Sequence, residues 1–124
     1  METSHKHRPG LSHAWYATGI ALQGLRAAWC HEDAFRQEVL VAAVAIPVAL
    51  FTPASTIGKA LMIASILLVL IVELLNSALE ATVDHTSLER HPLAKRAKDI
   101  ASAAVLLSIV NALVVWGLVL FVRS

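Results

Sequence analysis

Ile100 to Val122 is a run of 23 residues without a formal charge. As an α-helix rising about 1.5 Å per residue it would reach roughly 34 Å, enough to cross a bilayer hydrocarbon core of about 30 Å. A chain of 124 residues that commits such a segment has room for one domain only. Composition points the same way: 57% of the residues are hydrophobic, 15% are charged, and the mean hydropathy is +0.68. Soluble domains average about 45–50% apolar and about 25% charged residues. The expectation is an all-α membrane protein with no nucleic-acid partner. Cys30 is the single cysteine, so no internal disulfide is possible, and a packed thiol is the simplest account of it.

Two further segments qualify as spans. Val39 to Phe51 is short for a crossing, which takes about 20 residues. Extended back through Phe35 it suffices, provided that Arg36, Gln37 and Glu38 sit near the headgroups. Another begins near Ser55, gathers the apolar stretch Ala60 to Val72, and continues as the amphipathic stretch Glu73 to Asp84. Upstream, Trp15, Leu22, Leu25 and Trp29 recur at helical spacing, and their aromatic rings suit a membrane–water interface. The predicted organisation is a polar tail over 1–10 and one membrane-embedded domain over 11–124. That domain comprises an amphipathic surface helix at about 11–33 and transmembrane helices at about 34–51, 55–84 and 98–122. An ordinary packing helix is the alternative for 11–33. Met1 to Gly10 is polar and lacks an apolar core behind it, so no cleavable signal peptide is expected.

The basic residues set the topology. Lys6, Arg8, Arg26 and Arg36 precede the first span, and Lys59 alone follows it. Arg90, Lys95, Arg96 and Lys98 lie between the second and third, and Arg123 follows the last. Positive charge gathers on the cytoplasmic side. The N-terminus and the Asp84–Asp99 loop are therefore expected in the cytoplasm, in a cell inner membrane, with a periplasmic C-terminus. Asp84 to Ser87 and His91-Pro92 look like loop, since Pro92 would interrupt a helix.

At about 100° per residue, Glu73, Asn76, Glu80 and Asp84 fall in a stripe about 80° wide, with Ser77 at its edge. A charge near the hydrocarbon core costs roughly 2.5–3.5 kcal/mol on insertion scales. Acids on such a stripe need a cation, a metal, water or a neighbouring helix. Near the same end lie Glu32, Lys98, Asp99 and Ser102. Carboxylates from two helices, such as Glu32 and Glu80, are hard oxygen ligands of the kind Mg²⁺ takes together with phosphate oxygens. A lysine holds phosphate as a point charge, and a carboxylate at depth, such as Glu73, is a candidate general base. These are parts for phosphoryl transfer, in which positioning and charge stabilisation dominate. Gly58-Lys59-Ala60 lacks the first glycine and the Ser/Thr of a Walker A loop, and no protein-kinase signature is present. His5 and His7 read as tail rather than zinc ligands. Ser108 and Asn111 read as interhelical hydrogen-bonding residues.

Three blocks occur in order. They are Leu25-Arg26-Ala27-Ala28-Trp29 with Glu32 and Ala34-Phe35-Arg36-Gln37-Glu38; Glu73-Leu74-Leu75-Asn76-Ser77-Ala78-Leu79-Glu80-Ala81 with Val83-Asp84; and Arg96-Ala97-Lys98-Asp99 with Ser102-Ala103-Ala104-Val105. Together they resemble the signature of the prokaryotic integral-membrane diacylglycerol kinases, over roughly residues 13 to 122. The resemblance implies a homotrimer that transfers the γ-phosphate of MgATP to the primary hydroxyl of diacylglycerol, giving phosphatidic acid. It implies Glu73 as general base facing the lipid hydroxyl, with Asn76 beside it, and Glu32 and Glu80 as metal-binding carboxylates in contact with ATP. By the same resemblance Lys98 and Asp99, with Glu89, Arg90 and His91, meet the nucleotide. Arg26, Trp29 and Ser102 match lipid-substrate positions. His13, Tyr16, Ile20 and Gln23 depart from the pattern of well-known members. His91-Pro92-Leu93-Ala94-Lys95 also resembles the undecaprenol kinase branch of the superfamily, which is the alternative function. A proton- or cation-relay transporter subunit is the alternative of a different class, and a purely structural assembly subunit a third.

Overall fold

The computed structural model describes residues 10–86 and 91–122. It is all-α, with helices α1 (Gly10–His31), α2 (Asp33–Phe51), α3 (Thr56–Thr86) and α4 (Pro92–Phe121). Among the described residues there is no strand. The chain divides at Glu32 into two units. In the first, α1 carries exposed Leu11, Trp15, Ile20 and Leu22, and His31 Nδ1 donates to the Ala27 carbonyl at 2.9 Å in its last turn.

In the second unit α3 packs against both α2 and α4. All three helices are long and apolar enough to cross a membrane. The chain is an integral membrane protein. Small residues let these helices approach: α2 buries Ala42 and Ala49 seven residues apart, and α4 buries Ser108 and Ala112. Without a hydrophobic drive between helices in lipid, such positions are where van der Waals contact is made. Large apolar side chains face outward instead, among them Leu106, Leu107 and Leu113. On α3 the buried positions Gly58, Met62, Ser65, Val69 and Glu73 follow one another at helical spacing. A carboxylate thus occupies the last place of an otherwise apolar or small seam.

The α3–α4 pair is antiparallel. Near one end a Cβ added to Gly58 would stand 2.9 Å from Val119 Cγ1, so only glycine allows this approach. One turn on, Trp116 Nε1 donates to the Met62 carbonyl at 3.1 Å. At the other end Lys98 Nζ meets Asp84 Oδ1 at 2.9 Å. Ser55 caps α3, its Oγ accepting from Gly58 N at 3.0 Å. At the end of α2 the Thr52 hydroxyl donates to the Ala49 carbonyl at 2.8 Å, and Pro53 cannot extend the helix.

Three expectations need correction. Helix α4 begins at Pro92, inside the expected loop, because a proline at the first helical position loses no hydrogen bond. His91 caps it, its Nδ1 accepting from Leu93 N at 3.0 Å. Helix α3 likewise continues through Asp84 to Thr86, so the expected loop from 84 to 99 is mostly helix. Ser108 lies buried between helices but makes its hydrogen bond within α4, its hydroxyl donating to the Val105 carbonyl at 2.7 Å, and Asn111 is exposed.

Candidate functional site

Helix α3 has 31 residues and α4 has 30, about 45 Å each against a core of about 30 Å. The surplus turns are the polar ones, at the C-terminal end of α3 and the N-terminal end of α4. Glu73, the eighteenth residue of α3, stands about 26 Å from its start, where the apolar stretch of the helix gives way to its polar turns.

Along the stripe, burial falls outward. Glu73 is 4% exposed; Asn76, Ser77 and Glu80 are half-buried, and Asp84 is exposed. Glu38 on α2 lies within electrostatic range of Glu73. Three side-chain atoms here are shut off from solvent and make no hydrogen bond: Glu38 Oε1, Asn76 Oδ1 and Ser77 Oγ. A buried polar atom left unsatisfied costs about 1–3 kcal/mol. Two of the three lie on α3, three and four residues beyond Glu73, and the third is on the α2 acid within electrostatic range of Glu73. Sequence reasoning did not single out Glu38. Its signal was a lone acid directly ahead of the apolar run that starts at Val39, a headgroup-level position unless a neighbouring helix needs it.

Farther out, two ion pairs divide the charges. Lys98 of α4 bonds Asp84 of α3, with Glu80 also within its electrostatic range. Lys95 Nζ bonds Asp99 Oδ2 at 2.7 Å within α4. The expected pair Lys98 and Asp99 therefore faces two different partners. Ser102 is exposed on the next turn of α4. Arg26 and Trp29 are exposed on α1, and Glu32 follows its last turn, its N–H donating to the Ala28 carbonyl at 2.9 Å. Glu89 and Arg90 lie outside the described residues. His91 is exposed at the α4 cap.

Among the described residues no group of three or more His, Cys, Asp or Glu converges as a metal cage. The donor set fits a divalent cation of one kind. Mg²⁺ takes one or two carboxylates and completes its octahedron with water and phosphate oxygens, and Glu80 offers one half-buried carboxylate on a stripe that also reaches a lysine.

A helical membrane protein with a buried acid and a lysine-bearing charged end offers the residue types that phosphoryl transfer to a lipid requires. Its sequence relatives give that class a family. The prokaryotic diacylglycerol kinase family matches residues 19–120. A diacylglycerol kinase of Pseudomonas aeruginosa is 53% identical over 115 residues, covering 93% of this chain and 94% of that one. One of Escherichia coli K12 is 47% identical over 105 residues, covering 85% and 86%. One of Helicobacter pylori is 40% identical over 108 residues, covering 87% and 84%. The chain belongs to the prokaryotic diacylglycerol kinase family.

Proposed function

We propose that this chain transfers the γ-phosphate of ATP to the primary hydroxyl of diacylglycerol at the polar end of α3, forming phosphatidic acid and ADP. The diacylglycerol kinase activity itself follows from the family. The site assignment rests on one observation above all: a carboxylate buried to 4% exposure, with three buried polar atoms that lack partners on its own helix and on α2, where the apolar stretch of α3 turns polar. Glu73 takes the hydroxyl proton as the lipid oxygen attacks the γ-phosphorus and the bond to the ADP oxygen breaks. Asn76, with Ser77 and Glu38, orients the lipid headgroup. Lys98, with Asp99 and His91, holds the nucleotide, and Glu89 and Arg90 complete that contact. Arg26, Trp29 and Ser102 seat the lipid. Glu32 and Glu80 would hold Mg²⁺, which neutralises phosphate charge as it shifts towards the leaving group. The active site and N-terminus face the cytoplasm across the inner membrane, α1 lies on the membrane surface, and three copies assemble so that neighbours cover the polar stripe.

Side-by-side assay of ATP-dependent phosphorylation of diacylglycerol and undecaprenol in mixed micelles tests this. Diacylglycerol should be the better substrate. Preference for undecaprenol would move the chain to the other branch, and transfer to neither would defeat the kinase assignment. Cross-linking in mild detergent should stop at three subunits, and an active monomer would remove the trimer.

A further inference from the structure

We propose that Asp84 is a positioning residue that holds the Lys98 amine away from Glu80 and so keeps the Glu80 carboxylate open to the metal. This rests on the assignment of Glu80 and Lys98 above. Glu80 and Asp84 are four residues apart on α3 and therefore share a face. Lys98 reaches that face from α4 and bonds the outer acid, Asp84 Oδ1, at 2.9 Å. The inner acid, Glu80, is the other carboxylate acting on the amine. Asp99, next to Lys98 in sequence, is already engaged by Lys95 at 2.7 Å.

The two acids of α3 are not equivalent. Asp84 is exposed, whereas Glu80 is half-buried. An ion pair gains more where water is scarcer, and a lysine ammonium is a compact charge on a flexible stem. Without Asp84 the amine would settle one turn deeper, on Glu80, where a divalent cation would have to displace it. With Asp84 in place the amine stays outside, and two of its three protons remain for phosphate. An exposed pair of this kind is weak, so the amine is restrained without being locked when nucleotide arrives. Asp84 thus divides the stripe between a metal position and a lysine position.

The test uses the full chain in diacylglycerol mixed micelles. Mn²⁺ binding is followed by electron paramagnetic resonance in saturating ADP, and the Mg²⁺ concentration for half-maximal rate is measured separately. Asp84→Asn should weaken Mn²⁺ binding and raise the Mg²⁺ requirement by about two- to fivefold, the scale of one weak ion pair. Excess Mg²⁺ should recover lost rate, which it would not do for a misfolded variant. Asp84→Glu should behave as the parent. Lys98→Gln serves as its own reference: adding Asp84→Asn to it should weaken Mn²⁺ binding no further, because no amine is left to intrude on Glu80. Asp84→Ala is carried alongside, so that failure of one variant to fold leaves the other. Parental metal dependence in the charge-removed variants, or an Asp84→Asn effect of the same size in the Lys98→Gln background, would overturn the proposal. A parent that phosphorylates lipid but holds no Mn²⁺ would overturn the metal assignment beneath it. A parent with no kinase activity would overturn the kinase assignment, a different pattern from either.

Discussion

The two ends of α3 are built to opposite rules. At the Gly58 end a glycine admits Val119, the buried Met62 carbonyl receives Trp116 Nε1, and Ser65 Oγ donates to that same carbonyl at 2.7 Å. The polar groups at that contact are matched inside the protomer. At the Glu73 end Glu38, Asn76 and Ser77 each leave a buried atom without a partner, and a carboxylate takes the place where Met62 or Val69 packs elsewhere on the seam. One end holds the helices together. The other leaves polar groups unmatched, the pattern expected where local rules are broken for function, and it is the end to which we assign the site.

The largest effect expected from breaking this contrast lies at Glu73. Glu73→Gln keeps shape and hydrogen-bonding capacity but removes the basic site, and the lipid kcat should fall about 10²–10⁴-fold, the range for a lost general base. Nucleotide affinity and assembly size should stay parental. Glu80→Gln comes next: activity should fall and the Mg²⁺ requirement should rise, as read from the Mg²⁺ dependence of the rate. Unaltered Mg²⁺ dependence would separate Glu80 from the metal.

At the opposite end the effects should be on stability. Gly58→Ala forces a Cβ against Val119 and should cost about 1–3 kcal/mol, the usual range for overpacking, measured as a lower midpoint of unfolding in detergent. Trp116→Phe loses one interhelical hydrogen bond, worth about 0.6 kcal/mol on average in membrane helices, and should lower the midpoint by less than Gly58→Ala does. A Trp116→Phe protein with the parental midpoint would make that bond incidental.

Much of this architecture is legible in the sequence, for identifiable reasons. The uncharged run that ends α4 and the apolar stretch Ala60 to Val72 leave no option but helix in a membrane. The stripe from Glu73 to Asp84 follows from helical periodicity alone. Pro92 was misleading because the residue that breaks a helix interior also starts one well, and only the His91 cap distinguishes the cases. Ser108 bonds within its own helix where a bond between helices was expected, and Trp116, to which the sequence pattern assigned no role, makes one instead. A serine in a helix finds its own preceding carbonyl, while the indole N–H, carried on a longer side chain, reaches the neighbouring helix. The nearness of Glu38 to Glu73 is a tertiary fact. It depends on how α2 lies against α3, which no spacing within one segment encodes.

The most direct test sets Glu73→Gln beside Trp116→Phe, with kcat for diacylglycerol and the unfolding midpoint measured on both. Function at one end of α3 and cohesion at the other predict a crossed result. Glu73→Gln should lose at least about a hundredfold in kcat with an unfolding midpoint no lower than the parent's. Trp116→Phe should unfold earlier and keep a kcat close to the parent's. A Glu73→Gln protein that turns over within a few-fold of the parent while still binding MgATP would contradict the account, and the base would have to be sought elsewhere.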